Sequence, residues 1–117
     1  MSLHKVLTLA QPGSNVGPLF EWGQNAVNQL GDGTITNRSS PVQVGSLTTW
    51  KLAASGVYCT AAIKTDGTLW TWGYNVAGNL GNGTTINYSS PIQIGALTNW
   101  SQVSAGGAYG SAAIKTD

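Results

Sequence analysis

The segment WGQNAVNQLGDGTITNRSSPVQVGSLTTW, Trp22 to Trp50, returns as WGYNVAGNLGNGTTINYSSPIQIGALTNW, Trp72 to Trp100. The offset is about 50 residues throughout. Gly23 meets Gly73, Asn25 meets Asn75, and Leu30-Gly31 meets Leu80-Gly81. Gly33-Thr34 meets Gly83-Thr84, and Ser39-Ser40-Pro41 meets Ser89-Ser90-Pro91. AAIKTD also recurs, at Ala61 to Asp66 and Ala112 to Asp117, with one extra residue taken up near GGAYG. A unit repeating at this period cannot bury its apolar face alone. It must stack on neighbours, which restricts the fold to a solenoid, a propeller or an array.

Each repeat reads as strands. LWTWG, PVQVG and PIQIG alternate in residue character with the period of two that a strand requires. Their Trp, Val, Ile and Thr suit a pleated surface. TDGT joins AAIK to LWTW, and Asp-Gly between two strand runs is a hairpin signal. LGDGT and LGNGT put glycine where a tight turn needs positive φ. Pro41 and Pro91 fit the first position of a strand or an edge strand, where a missing N–H does least harm. No segment keeps a helical apolar period for three turns, so the chain is expected to be all-β.

Bulk properties narrow the function classes. Of 117 residues only 8% are charged, and the formal net charge is +1. No basic face offers itself to a phosphate backbone, so no nucleic-acid partner is expected. No apolar run approaches the roughly 18 residues of a membrane-spanning helix, so no membrane partner is expected either. The N-terminal apolar run, Val6 to Leu9, is shorter than the roughly 7–15 residues of a signal-peptide core. The lone cysteine, Cys59, excludes an intrachain disulfide and fits a reducing compartment such as the cytoplasm. The compartment otherwise stays open.

The chemistry-bearing residues are few. GDGT and GNGT lack the Lys-Ser/Thr ending and the strand-loop-helix setting of a phosphate loop, so they read as turns. Asp32, Asp66 and Asp117 are far apart in sequence and sit at turns, which suits turn chemistry better than calcium. His4 is the only histidine, so a catalytic triad or zinc site has no material. Glu21, on a strand between Phe20 and Trp22, has no evident second carboxylate for acid/base work. Cys59 follows Tyr58 on a strand and reads as a buried structural thiol. Asn37, Asn82 and Asn87 match a glycosylation pattern but occupy turns where Asn is favoured anyway. No catalytic residue, cofactor or metal is therefore expected.

The aromatic residues divide in two. Trp22, Trp72, Trp50 and Trp100 recur with the period and are expected to be structural, along with Gly31, Gly81, Pro41 and Pro91. Phe20 and Trp70 occupy equivalent positions, as do Gln24 and Tyr74, and Arg38 and Tyr88. Positions that vary between copies are those that face solvent or a ligand. Phe20, Trp70, Tyr74 and Tyr88 thus form the candidate binding surface.

GTLWTWGYNVAGNLGNGTTINYSSPIQIGAL and VSAGGAYGSAAIKTD resemble the regulator of chromosome condensation repeat. Its pattern runs aromatic-x-Trp-Gly-x-Asn, Leu-Gly-x-Gly, Pro-x-x-Val, then Gly-x-x-His-x-x-Ala-Leu. The likeness covers about Gly17 to Asp117. One departure is that the frequent His falls at Cys59 in one copy and Gly110 in the other. The resemblance implies a β-propeller of four-stranded antiparallel blades, commonly seven, with sequence repeats out of phase with blades. Relatives act as nucleotide-exchange factors, protein inhibitors and photoreceptors, so the fold does not choose among them.

In the implied blade order, KLAA and TAAIK are inner strands, and LWTWG and PIQIG are outer ones. Residues 51–95 then form one complete blade, flanked by an outer half-blade (LFEWG, PVQVG) and an inner half-blade (SQVSA, SAAIK). The division is an N-terminal segment 1–16, with one strand at VLTL able to pair with LFEWG, and two repeats, 17–66 and 67–117. The chain is expected to end at a mid-blade seam. Its ring would be closed either by missing repeats of a longer protein or by head-to-tail copies of itself, with three chains giving six blades and four giving eight. The expected function is a non-enzymatic scaffold that binds protein or another macromolecule. The alternatives are a carbohydrate-binding or enzymatic propeller with a turn-borne site, and a purely structural repeat of a larger protein.

Overall fold

The computed structural model describes residues 5–8, 16–106 and 110–116. Nine strands follow in order: β1 Lys5–Thr8, β2 Leu19–Gly23, β3 Arg38–Gln43, β4 Trp50–Ser55, β5 Cys59–Lys64, β6 Leu69–Gly73, β7 Tyr88–Gln93, β8 Trp100–Gly106 and β9 Gly110–Lys115. They form three antiparallel sheets, β1-β2-β3, β4-β5-β6-β7 and β8-β9. No helix occurs among the described residues. The middle sheet is a full propeller blade, and the outer two are incomplete.

The register repeats with the sequence. Thr60 pairs with Trp72 and Ile63 with Leu69 in the full blade. Lys5 pairs with Trp22 and Thr8 with Leu19 in the first sheet. β1 therefore stands against β2 as β5 stands against β6. The N-terminal strand lies one residue earlier than VLTL, and Leu9 is outside the described residues. The first sheet thus has three strands rather than the two of a half-blade. Trp50 pairs with Lys64 and Ala53 with Ala62, and Trp100 with Lys115 and Val103 with Ala113. The extra residue in the second copy is absorbed before β9, leaving the hairpin geometry unchanged. Pro41 and Pro91 sit inside β3 and β7 rather than at their starts, but both are outer edge strands.

A side-chain network closes the long turn between β2 and β3, and again between β6 and β7. The Asn25 amide nitrogen donates to the carbonyls of Thr34 (2.9 Å) and Thr36 (3.0 Å), and its oxygen accepts from Leu30 N–H at 3.0 Å. Asn75 does the same with Thr84 (3.0 Å), Ile86 (2.9 Å) and Leu80 (2.9 Å). Asn37 and Asn87 accept from the Asn25 and Asn75 backbone N–H, each at 2.8 Å. These asparagines do turn chemistry, because a buried turn must satisfy its backbone with side chains. In the first copy Asp32 pairs with Arg38 at 2.9 Å. Asn82 and Tyr88 replace both partners in the second.

Neighbouring sheets are stitched by the same contact. Trp50 N–H donates to Gly17 C=O at 3.2 Å, and Trp100 N–H donates to Gly67 C=O at 3.1 Å. One apolar cluster, Leu19, Val44, Trp50, Ala62 and Trp72, joins the first sheet to the second. Another, Cys59, Leu80 and Ala105, joins the second to the third.

Candidate functional site

Trp72 lies on β6 and crosses to the first sheet. Its indole covers Gly31, where a Cβ would overlap the ring and where φ is +71°. Glycine is needed there for both reasons. The indole is fully buried among Leu19, Val44, Trp50 and Ala62. Trp50 meets it edge-on at 5.8 Å and meets Trp70 at 6.3 Å. Such tilted pairs suit the ring quadrupole. The Trp72 N–H donates to Glu21 Oε2 at 3.0 Å, and the Thr60 hydroxyl lies 2.8 Å from Glu21 Oε1. Burial pushes the Glu21 carboxyl well above its ordinary pKa, against the lowering effect of these hydrogen bonds.

The second interface has the same parts in a different state. Val44 and Trp50 are each 1% exposed. Their repeat equivalents, Ile94 and Trp100, are only half-buried. Between the second and third sheets lies a cavity of about 350 Å³, lined by Leu69, Thr71, Leu80, Gly81, Val103 and Ala113 among others. Gly81 shares the conformation of Gly31 at φ +79°, but nothing nearer than 3.9 Å lies over it. On the third sheet β9 pairs only with β8, leaving its other edge open among the described residues.

The match to known proteins falls on these same elements. The model of the regulator of chromosome condensation (RCC1) repeat matches residues 17–63 and 66–113. The chain belongs to the RCC1 repeat family. Among solved structures it is similar to human WBSCR16, with a TM-score of 0.76, 22% identity, and coverage of 97% of this chain and 28% of that one. It is similar to yeast RCC1 (Prp20) bound to Kap60, with a TM-score of 0.68, 26% identity, and coverage of 86% and 24%. It is also similar to Prp20p from Saccharomyces cerevisiae, a protein with binding properties to Gsp1p and histones, with a TM-score of 0.72, 17% identity, and coverage of 100% and 31%. The chain spans about a quarter to a third of the length of these propellers. No curated protein matches it.

Within this RCC1-type segment the candidate aromatics do not share one surface. Trp70 is half-buried near the start of β6, where its N–H donates to Thr68 Oγ at 2.7 Å. The Lys64 ammonium lies 3.7 Å from the centre of its ring, a cation–π contact. Burial lowers the Lys64 pKa. Phe20 takes the same position on β2, half-buried between the paired β1 and β3. Tyr74 lies past the other end of β6, its ring 5.6 Å from Tyr58. That is roughly 13 Å along the strand from Trp70. Tyr88 opens β7 opposite Gly73 and packs on the cluster of Cys59, Leu80 and Ala105. Of the recurring residues, Trp50 and Trp72 are buried, while Trp22 and Trp100 are half-buried. No group of three or more His, Cys, Asp or Glu able to hold a metal occurs among the described residues. The small residues of the cavity carry no motif. Their one sequence signal is that Gly81 repeats Gly31 without a following Trp at the repeat distance from Trp72.

Proposed function

We propose that this chain is a non-enzymatic, protein-binding propeller module whose ring is completed by further copies of itself, head to tail. The observation that carries this reading is the complementarity of its two ends. One end presents the unfilled interface of the second and third sheets beside the open edge of β9. The other presents the first sheet, whose Trp22 is only half-buried. A contact between unlike ends repeats by a constant rotation, and closes when that rotation divides a full turn. Two repeats per chain give even blade counts, six for a trimer and eight for a tetramer. Protein binding is supported by the solved relatives, since yeast RCC1 has been captured with Kap60 and Prp20p has binding properties to Gsp1p and histones. The residues on the page supply no nucleophile–base pair or paired carboxylates to support catalysis.

Sedimentation and light scattering across the micromolar range test assembly. The expected result is a discrete multiple of 12.1 kDa that populates with concentration. A monomer at every concentration would sink the self-assembly reading.

A further inference from the structure

The empty cavity has a filled counterpart in the same molecule, and that counterpart shows what fits it. Around Trp72 stand Leu19, Glu21, Gly31, Val44 and Ala62. At the repeat-equivalent places around the cavity stand Leu69, Thr71, Gly81, Ile94 and Ala113. Every apolar member is kept or exchanged for a close relative, and the glycine that admits the indole is kept. Only the indole is missing.

Resting on the head-to-tail reading, we propose that this cavity is a socket for the Trp22 indole of a second copy. The second copy's β2 lies antiparallel along the open edge of β9, and its own β1 is displaced. The register is fixed by the full blade. Ala62 pairs with Trp70 and Thr60 with Trp72, so Ala113 faces Phe20 and Ser111 faces Trp22 of the incoming chain. Trp22 is available because it is half-buried in its own chain, whereas Trp72 is 0% exposed. The polar groups agree as well. Asn79 lines the cavity at 8% exposure, donates to Tyr74 C=O at 2.7 Å, and its Oδ1 has no hydrogen-bond partner. The Thr71 hydroxyl donates to Leu80 C=O at 2.8 Å and keeps lone pairs free to accept. An entering indole brings one N–H donor and an apolar body, which answers both needs.

β1 is the built-in competitor. It occupies the edge of β2 that β9 of the neighbour would use, in the register of β5 on β6. The exchange replaces a four-residue strand with a six-residue one. Assembly is therefore gated by release of an N-terminal clasp.

The test uses full-length variants. Trp22→Ala removes the plug and leaves the socket. Ala113→Trp fills the socket and leaves the plug. Each alone is expected to weaken self-association by roughly tenfold or more. Mixed, they are expected to form a heterodimer and nothing larger, since one working plug meets one working socket and both remaining ends are dead. That dimer also shows that both variants are folded. If Ala113→Trp unfolds the chain, Val103→Trp blocks the same cavity from β8. A Val6→Pro, Leu7→Pro double variant is expected to strengthen association. Consecutive strand amides point to opposite sides, so one of the two must face β2 and be lost. If the wild type assembles but the mixture gives no heterodimer, the socket assignment is overturned while head-to-tail assembly survives. If the wild type never assembles, both fall.

Discussion

The Thr60 hydroxyl has one proton and two acceptors in reach, Glu21 Oε1 at 2.8 Å and the Gln29 carbonyl at 2.9 Å. A proton on Glu21 resolves the conflict, because the carboxyl then donates to Thr60 and Thr60 to Gln29. The geometry thus agrees with the raised pKa that burial imposes. The folded chain keeps a proton that the unfolded chain loses above its ordinary pKa of about 4.3. This contribution to stability is complete below that value and is lost as pH rises through the folded pKa. Asp32 works in the opposite sense. Desolvation raises its pKa, but hydrogen bonds from Thr34, Asn25 and Arg38 outweigh this and hold it below the ordinary value. Its contribution is present above about 3.9 and is lost on acidification. Glu21→Gln cannot ionise, and keeps an acceptor for Trp72 and a donor for Thr60. It should match the wild-type Tm near about pH 4 and exceed it by several degrees near about pH 8. Parallel Tm–pH curves would show that Glu21 is already ionised in the folded chain. Little of this was legible in the sequence. Glu21 stood out only as a charge between two aromatics, and the second repeat has Thr71 at that place, so the repeat gave no second instance to read.

At the level of elements, each sheet meets the next through a turn glycine and a strand indole. Gly31 and Gly81 have the same place in the repeat and nearly the same φ, +71° and +79°. They differ in that only Gly31 has an indole over it. Gly→Ala at either position pays the backbone strain, about 1 kcal/mol. Gly31→Ala must also displace the Trp72 ring, which adds overpacking of roughly 1–3 kcal/mol. Urea unfolding of the two variants should therefore separate them by that second amount, and equal losses would mean that Trp72 moves aside freely. The strands, the hairpins and the recurring tryptophans were all readable from alternation and repetition. What could not be read was that Trp22 and Trp72, identical in sequence setting, differ in burial. Burial belongs to the pair of sheets, and Trp22 has no described sheet on its outer side. For the same reason the variable aromatics, which looked like one surface, divide between the two ends of β6. Alternation shows which side of a strand a residue takes, but not how far along the blade it lies.

For the whole molecule, the sequence period located the repeat but not its closure. The clasp by β1 depends on a short strand with no counterpart in the repeat alignment, so only its length and apolar character announced it. The two interfaces are stitched alike, through Gly17 to Trp50 and Gly67 to Trp100, yet only one is filled by an indole. This gives the molecule a polarity in local stability. Opening begins at the β8–β9 leaf and advances toward β4–β7, as a front rather than all at once. Amide hydrogen exchange should record it, with β8 and β9 protected far less than β5 and β6. A flat protection profile would rule the front out. Because the leaf that opens first is also the one a second copy would cover, its exchange rate becomes a built-in meter of occupancy, slowing as protein concentration rises while β5 and β6 stay unchanged.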